Sequence, residues 1–184
     1  GDAAGRLPSQ NEGENLAPWA AFGQANQLYT PLQLANYIAT LSGGGDRYTT
    51  HLLKNVRESG TGALEYVYDA EPVQTIAMSE ENLSAVLAGM HDLATDGAVS
   101  SYFKDCIVDA AAKTGTVQTG DTKNNNGAFV CFAPYDDPQI AVAIVIEKGG
   151  SGAALASTAV QVLNAYFSNT SASSAITGEN TLLG

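Results

Sequence analysis

One short run of residues, Lys113-Thr114-Gly115-Thr116, has the side-chain types that could hold an anionic group. The lysine ammonium and the two hydroxyls can donate hydrogen bonds to a carboxylate, and a charged partner strengthens such bonds. Gly115 would allow a ligand to approach the backbone closely, and the backbone N–H of Thr116 could form half of an oxyanion hole. Alone, the run is a weak signal, because a lysine among small polar residues is also typical of an exposed strand edge.

The other reactive side chains offer little chemistry. Cys106 and Cys131 are the only cysteines, and neither has the Cys-x-x-Cys spacing of a zinc ribbon or a thioredoxin-type motif. His51 and His91 are the only histidines, so a His-rich metal site and a Ser-His-Asp triad have few candidates. We therefore predict no metal and no cofactor.

Composition limits the classes of protein that remain. The 184 residues suffice for one domain or a large part of one, and 45% hydrophobic residues can build a core. The formal net charge is −11 and the eight Lys and Arg residues form no cluster, which argues against binding to nucleic acid or anionic lipid. The longest apolar run, 140–146, is too short to span a membrane. Residues 1–6 do not resemble a targeting segment, although the possibility of a targeting segment further upstream stays open.

Helices are predicted in the first half of the chain. Thr30 is a suitable N-cap, a proline follows it, and apolar residues then recur at helical spacing until 43–45. A second helix is expected from Ser79 to Gly97, with acidic residues in its first turn. Between them only 63–68 has the pattern of a strand, so this half is expected to be mostly helical.

The second half of the chain predicts three sequential antiparallel strands followed by a helix. The strands are expected at 107–118, 127–133 and 139–147, and the last one is apolar enough to be buried on both faces. The helix is expected at 153–167, and residues 169–184 are predicted to be a flexible tail. The fold class is therefore α+β, with an antiparallel sheet packed against helices.

The predicted hairpin also determines how far apart the cysteines should be. With its loop centred near 122–123, Cys131 would lie opposite about Thr114, and Cys106 would lie roughly 25 Å further along the partner strand. A disulfide requires Cα atoms within about 7 Å of each other. We therefore expect two free, largely buried thiols.

Several motifs together resemble the penicillin-binding transpeptidase family, and in particular its class B members. Residues 1–8 are similar to the end of a loop typical of that class, and 113–118 match a Lys-Thr-Gly-Thr-x-Gln strand. Residues 22–24 followed by 30–35 resemble the family's Gly-Gln and Thr-Pro-Leu-Gln-Leu-Ala helix start. The expected strands and closing helix follow in the family's order. The resemblance therefore covers 1–168 and implies the C-terminal portion of a transpeptidase domain, a partial penicillin-binding/β-lactamase-like fold.

The resemblance implies a parent D,D-transpeptidase that cross-links peptidoglycan stem peptides through an acyl-serine intermediate and that β-lactams acylate. Carried over to this chain, Lys113 supplies positive charge and joins the proton network, while the Thr114 and Thr116 hydroxyls hold the substrate carboxylate. The Thr116 N–H stabilises the oxyanion, Gly115 belongs to the same substrate-binding strand, and Gln118 is a weaker candidate for substrate binding. The parent would act at the extracytoplasmic face of the bacterial cell membrane, anchored by an upstream segment.

The chain departs from the family in its serine motifs. In the family the nucleophilic serine with its lysine, and then Ser-x-Asn, come upstream of all these motifs. Here Ser-x-x-Lys occurs only at 101–104 and Ser-x-Asn only at 9–11, in the wrong order. Short patterns of common residues arise by chance. We therefore predict that the chain lacks the nucleophile, is inactive alone and needs the missing N-terminal part of its domain.

Two other functions stay open. The parent could be a D,D-carboxypeptidase or β-lactamase-like hydrolase, in which water instead of an amine attacks the acyl-enzyme. It could also be a non-catalytic module that senses β-lactams or peptidoglycan with the same strand. In each case a partial sheet should leave the 139–147 strand with a bare apolar edge, so we also expect a homo-oligomer formed through that edge.

Overall fold

The structure, a computed structural model, describes residues 3–7, 17–24, 27–118 and 125–173. The helices and strands, in chain order, are α1 (Ala17–Ala21), α2 (Pro31–Ser42), β1 (Asp46–Arg47), β2 (Asn55–Arg57), β3 (Leu64–Val67), β4 (Gln74–Thr75), α3 (Glu80–Thr95), α4 (Ser100–Phe103), β5 (Ala111–Val117), β6 (Asn126–Ala133), β7 (Ile140–Ile146), a 3-10 turn (Gly152–Leu155) and α5 (Ala156–Ser173). The first part combines helices with four short strands, and an antiparallel sheet with a closing helix follows.

The main sheet has the strand order β5-β6-β7 and is antiparallel throughout. In its register Thr116 lies opposite Gly127, four residues from the Ala112 and Cys131 pair. This confirms the three predicted sequential strands and the α+β class. The first strand begins at Ala111 and not at 107, because residues 107–108 form a bend and 109–110 are irregular.

Helices cover both faces of this sheet. On one face, Phe129 and Cys131 of β6 are buried in a cluster with Leu163 of α5. On the other face, Phe132 is buried with Ile38 of α2. Because side chains alternate along a strand, each face receives every second residue of β6. The core therefore fixes β6 at the centre of the sheet, with β5 and β7 as its two edges.

Local capping explains where the helices begin. The Thr30 hydroxyl accepts a hydrogen bond from the Gln33 N–H at 3.1 Å, and the Gln33 side chain accepts one from the Thr30 N–H at 2.9 Å. This capping box satisfies two donors that the first helical turn leaves unpaired. The Ser79 hydroxyl likewise accepts from the Asn82 N–H at 3.2 Å. Both predicted helix starts are thereby confirmed.

The segment between α2 and α3 differs from the prediction. Only 63–68 was expected to form a strand, yet the structure pairs β1 with β4 and β2 with β3 in two small antiparallel sheets. These strands are two to four residues long, and all four residues of β3 are exposed. The expectation of a mostly helical first half was therefore wrong. The additional strands were missed because strands this short and exposed show no clear hydrophobic alternation.

Two predicted segments extend beyond the described residues. Helix α5 runs to Ser173, so the first part of the predicted flexible tail, 169–173, is helical. The remainder, 174–184, lies outside the described residues, as do residues 119–124 of the predicted hairpin loop. The helix therefore includes 169–173, and the flexible tail at 169–184 stays a prediction.

The outer strand β7 is less buried than its apolar sequence suggested. Val145 and Ile146 are 38% and 44% exposed, so the expectation that both faces of this strand are buried was wrong. Within the described residues β7 pairs only with β6, which leaves its other edge without a strand partner. The unpaired N–H and C=O groups of such an edge are a template for another strand.

We predict that the isolated 184-residue chain self-associates through this edge at high concentration. Val145→Lys should restore a monomer, because a charge on an edge strand opposes strand pairing. Val162→Lys is the matched control, since Val162 has a similar exposure, 40%, but lies on α5. Light scattering checks the result, and a monomeric unmodified chain at high concentration would contradict it.

Candidate active site

The Lys-Thr-Gly-Thr run lies on β5, at an edge of the sheet that no other described strand covers. Lys113 and Thr116 are exposed, and Thr114 and Gly115 are half-buried. Gln118 follows directly after the strand and is also exposed. Every residue expected at the site is thus at least partly accessible to solvent, as binding of a ligand requires.

Two carbonyl oxygens show how the backbone of β5 is oriented. The Lys113 ammonium donates a hydrogen bond to the Thr114 carbonyl (Nζ to O, 2.8 Å), and the Gln24 side-chain amide donates to the Thr116 carbonyl (Nε2 to O, 3.0 Å). Both carbonyls therefore point away from β6. In an antiparallel strand the N–H and C=O of one residue point to the same side, so the Thr116 N–H also faces the open edge. An oxyanion donor needs this orientation.

The Thr116 hydroxyl is held by the backbone of the 3-10 turn. The Gly152 N–H donates to Thr116 Oγ1 at 3.2 Å. A hydroxyl has one donor and two acceptor sites, so the Thr116 O–H remains available to donate to a carboxylate. Because side chains alternate along a strand, the Lys113 side chain leaves the strand on the face opposite to that of Thr116. Its ammonium nevertheless reaches the strand edge, where it binds the Thr114 carbonyl. An ammonium, a hydroxyl and an N–H therefore line the same open strand.

Gly152 is the residue that brings the 3-10 turn so close to the strand. A Cβ on Gly152 would lie 2.9 Å from the Gly115 nitrogen, and closer still to the carbonyl oxygens of Gly115 and Ala128. Only glycine fits this contact without displacing the backbone. The chain itself thus occupies the space beside Gly115 on this face, and a role of Gly115 in admitting a ligand stays a prediction.

The two cysteines are nearer to each other than the sequence suggested. Cys131 lies opposite Ala112 and not Thr114, and Cys106 lies between α4 and β5. Cys106 packs against the buried cluster that contains Cys131. Burial, and to a smaller extent Cys106, raises the pKa of Cys131 to about 12, so this thiol stays protonated at neutral pH. The predicted 25 Å separation was wrong, whereas the prediction of free thiols is confirmed, with Cys131 buried and Cys106 half-buried.

The serine motifs do not join the β5 edge in the described part of the chain. Ser101 is exposed on α4, which packs against α3 and α5. Ser9 lies outside the described residues. The side-chain hydrogen bonds described for Lys113 and Thr116 involve no serine. The absence of a nucleophile from this chain stays a prediction.

Both histidines lie in stacked aromatic pairs. His91 binds the Asp109 carboxylate (Nε2 to Oδ2, 2.9 Å) and stacks on Tyr135 with ring centroids 4.2 Å apart. His51 stacks on Tyr68 at 3.5 Å. Among the described residues, no group of three or more His, Cys, Asp or Glu side chains could hold a metal ion. None of the helices in the described ranges is long and apolar enough to cross a membrane.

Sequence reasoning missed two residues of the site, Gln24 and Gly152. Gln24 was part of the Gly-Gln pattern but had no role assigned, and Gly152 was one glycine among several before the last helix. Each contacts Thr116 from a distant part of the chain, 92 and 36 residues away. The Gly-Gln pattern was the only available signal for the first, and a glycine-rich run before a helix was a weak signal for the second.

Comparison with known proteins decides the family of this chain. The family model described as the penicillin-binding protein transpeptidase domain matches residues 2–167. The chain belongs to the penicillin-binding transpeptidase family. A similar relative is penicillin-binding protein 2A of Bacillus subtilis, 34% identical over an alignment of 139 residues, with 68% of this chain and 19% of that protein covered. The peptidoglycan D,D-transpeptidase MrdA of Escherichia coli is 29% identical over 158 residues, 77% of this chain and 25% of that protein.

Solved structures show the same penicillin-binding fold. Penicillin-binding protein 2B of Streptococcus pneumoniae superposes with a TM-score of 0.77 at 25% identity, over 92% of this chain and 29% of that chain. Pseudomonas aeruginosa PBP2 superposes with a TM-score of 0.69 at 28% identity, over 90% of this chain and 39% of that chain. The relatives are class B penicillin-binding proteins, so the expected family and class are confirmed. The chain spans about a fifth to a quarter of the length of these curated relatives.

Proposed function

We propose that the protein of which this chain is part is a peptidoglycan D,D-transpeptidase, and that β5 holds the carboxylate end of the donor stem peptide. The observation that carries this proposal is the outward orientation of Thr116. Its carbonyl is bound by Gln24 on the open side of β5, which places its N–H on the same side. An extended peptide can therefore pair with this edge, as peptides do when they add to a sheet.

Each group on the edge has a chemical task in this reaction. The Lys113 ammonium and the Thr116 O–H attract the terminal carboxylate of the peptide, and Thr114 adds a second hydroxyl on the face it shares with Thr116. The Thr116 N–H donates to the oxygen that becomes negative when a serine attacks the carbonyl. Gln118, just beyond the strand, would contact the substrate less directly. The hydrogen bond from the Thr116 N–H accelerates the reaction, because it strengthens as negative charge develops on the oxygen in the transition state.

The serine nucleophile and its lysine would come from a part of the protein outside this chain, together with the rest of the transpeptidase domain. Residues 1–168 would then be the C-terminal portion of that domain. The names of the relatives support this assignment, since one is a peptidoglycan D,D-transpeptidase and others are penicillin-binding proteins. The partners would be stem peptides and β-lactams, and the site of action would be the extracytoplasmic face of the bacterial cell membrane.

A labelled penicillin tests the proposal. The full-length gene product that contains this chain should become covalently labelled, whereas the isolated 184-residue chain should not. With a stem-peptide substrate and an acceptor amine, the full-length protein should form the cross-linked amide, which mass spectrometry detects. Release of D-alanine with hydrolysis of the acyl-enzyme, and without the cross-linked amide, would indicate a carboxypeptidase. A full-length protein that never reacts would indicate a sensing module. Labelling of the isolated chain would place the nucleophile within it.

A further inference from the structure

Gln24 makes the contact that connects the first segment of the chain to the candidate site. Its side-chain amide donates to the Thr116 carbonyl at 3.0 Å, across 92 residues of sequence. Its backbone N–H donates to the Trp19 carbonyl at 2.9 Å and closes the turn after α1. Gly23 before it has φ +85°, a left-handed conformation that suits glycine. The side chain is half-buried, so the position of the amide is restricted from both ends.

This contact replaces part of what a neighbouring strand would provide. Within the described residues no strand pairs with the outer side of β5, so its outward carbonyls depend on side chains. A carbonyl oxygen has two acceptor sites, and Gln24 uses one of them at Thr116. The second site remains for an N–H of a bound peptide.

Thr116 is consequently held at two points. Gln24 binds its carbonyl and the Gly152 N–H binds its hydroxyl at 3.2 Å. A residue on an unpaired edge would otherwise change its backbone angles easily, and its N–H would change direction with them. The Gln24 contact restricts the peptide plane between Thr116 and Val117, which meets the plane that carries the Thr116 N–H at the Thr116 Cα. The Gly152 contact restricts the rotamer of the hydroxyl.

We propose that Gln24 is a positioning residue for the acylation reaction: by binding the Thr116 carbonyl, it keeps the Thr116 N–H directed at the developing oxyanion. This inference rests on the proposed function, and it adds a residue that acts through Thr116 without touching the reacting atoms. The expected consequence of losing the contact is a slower chemical step, because donors aimed in advance at the oxyanion lower the barrier.

Gln27 provides a matched control in the same segment. Its side-chain amide donates to the Ala20 carbonyl at 2.6 Å, so it makes the same type of bond within the turn after α1. It has no described hydrogen bond to β5. Its Oε1 also accepts a hydrogen bond from the Tyr29 hydroxyl at 2.9 Å. Removal of the Gln27 amide therefore reports on contacts within 20–29, whereas removal of the Gln24 amide removes the contact with Thr116.

The experiment uses the full-length gene product with Gln24→Met, Gln24→Glu and the control Gln27→Met. Methionine keeps the length of the side chain without a donor, and glutamate turns a carboxylate toward the carbonyl. Stopped-flow labelling with fluorescent penicillin separates the acylation rate constant from the dissociation constant of the initial complex. We expect acylation to slow about fivefold in Gln24→Met and about thirtyfold in Gln24→Glu. The dissociation constant should change less than about twofold, and Gln27→Met should leave both constants unchanged.

Hydrogen exchange without any ligand tests the same contact independently of catalysis. Peptides that cover 111–118 should exchange faster in both Gln24 variants and at the wild-type rate in Gln27→Met, because the β5–β6 bonds open more often when the edge is released. Wild-type acylation in Gln24→Met, or equal effects of the Gln24 and Gln27 variants, would overturn the inference. If the wild-type protein is never acylated, the proposed function fails. Unchanged hydrogen exchange of 111–118 in the Gln24 variants would overturn the positioning role, whatever the result of the acylation experiment.

Discussion

Replacing Gly152 by alanine is expected to lower the free energy of unfolding by about 3 kcal/mol, at the upper end of the usual cost of overpacking. The added Cβ would lie 2.9 Å from the Gly115 nitrogen and closer to two carbonyl oxygens, which are backbone atoms that cannot rotate away. The 3-10 turn must therefore separate from β5 and β6. This separation also breaks the bond from the Gly152 N–H to the Thr116 hydroxyl. Denaturant unfolding of the full-length gene product measures the effect.

Gly89→Ala is the matched control for this substitution. Gly89 lies in α3, and a Cβ there would meet nothing within 4 Å. Alanine should therefore stabilise the protein by about 0.5–1 kcal/mol through its higher helix propensity. The two substitutions add the same methyl group with opposite expected signs. Equal stability of Gly152→Ala and the wild type would show that the turn does not pack on β5 as described.

Replacing Lys113 by alanine is expected to slow penicillin acylation of the full-length gene product on the order of a hundredfold. A hydrogen bond to a charged partner contributes about 1.5–3 kcal/mol, and about 1.36 kcal/mol corresponds to a factor of ten in rate. Stability should change little, because Lys113 is exposed and its ammonium has a single described partner, the Thr114 carbonyl. Acylation rates and the midpoint of thermal unfolding, measured on the same samples, separate the two effects.

Lys104→Ala controls for the loss of a positive charge and also tests the second serine motif. Lys104 is exposed at the end of α4, three residues after Ser101. If the Ser-x-x-Lys at 101–104 is a coincidence, Lys104→Ala should be acylated within about twofold of the wild-type rate. Loss of penicillin labelling in Lys104→Ala, together with wild-type labelling in Lys113→Ala, would contradict the role of Lys113 and would make 101–104 the catalytic motif.

The elements that could be predicted from sequence are those specified by local chemistry. The starts of α2 and α3 follow from Thr30 and Ser79, because a cap needs only a hydroxyl and an N–H three residues later. The three strands of the main sheet follow from apolar runs of strand length joined by short connections. Of the four strands between 46 and 75, only β3 was predicted, within 63–68. Strands β1, β2 and β4 could not be predicted in this way, since two or three residues define no period.

Residue types and their spacing were sufficient to predict the α+β class, the order β5-β6-β7 and the Lys113 to Thr116 run as the candidate binding strand. The packing of the whole chain sets the direction in which Thr116 points, because this direction depends on register and on bonds from Gln24 and Gly152. It also decided that Cys106 and Cys131 share one cluster. Contacts between residues far apart in sequence depend on how the whole chain packs, and no local pattern of residue types specifies them.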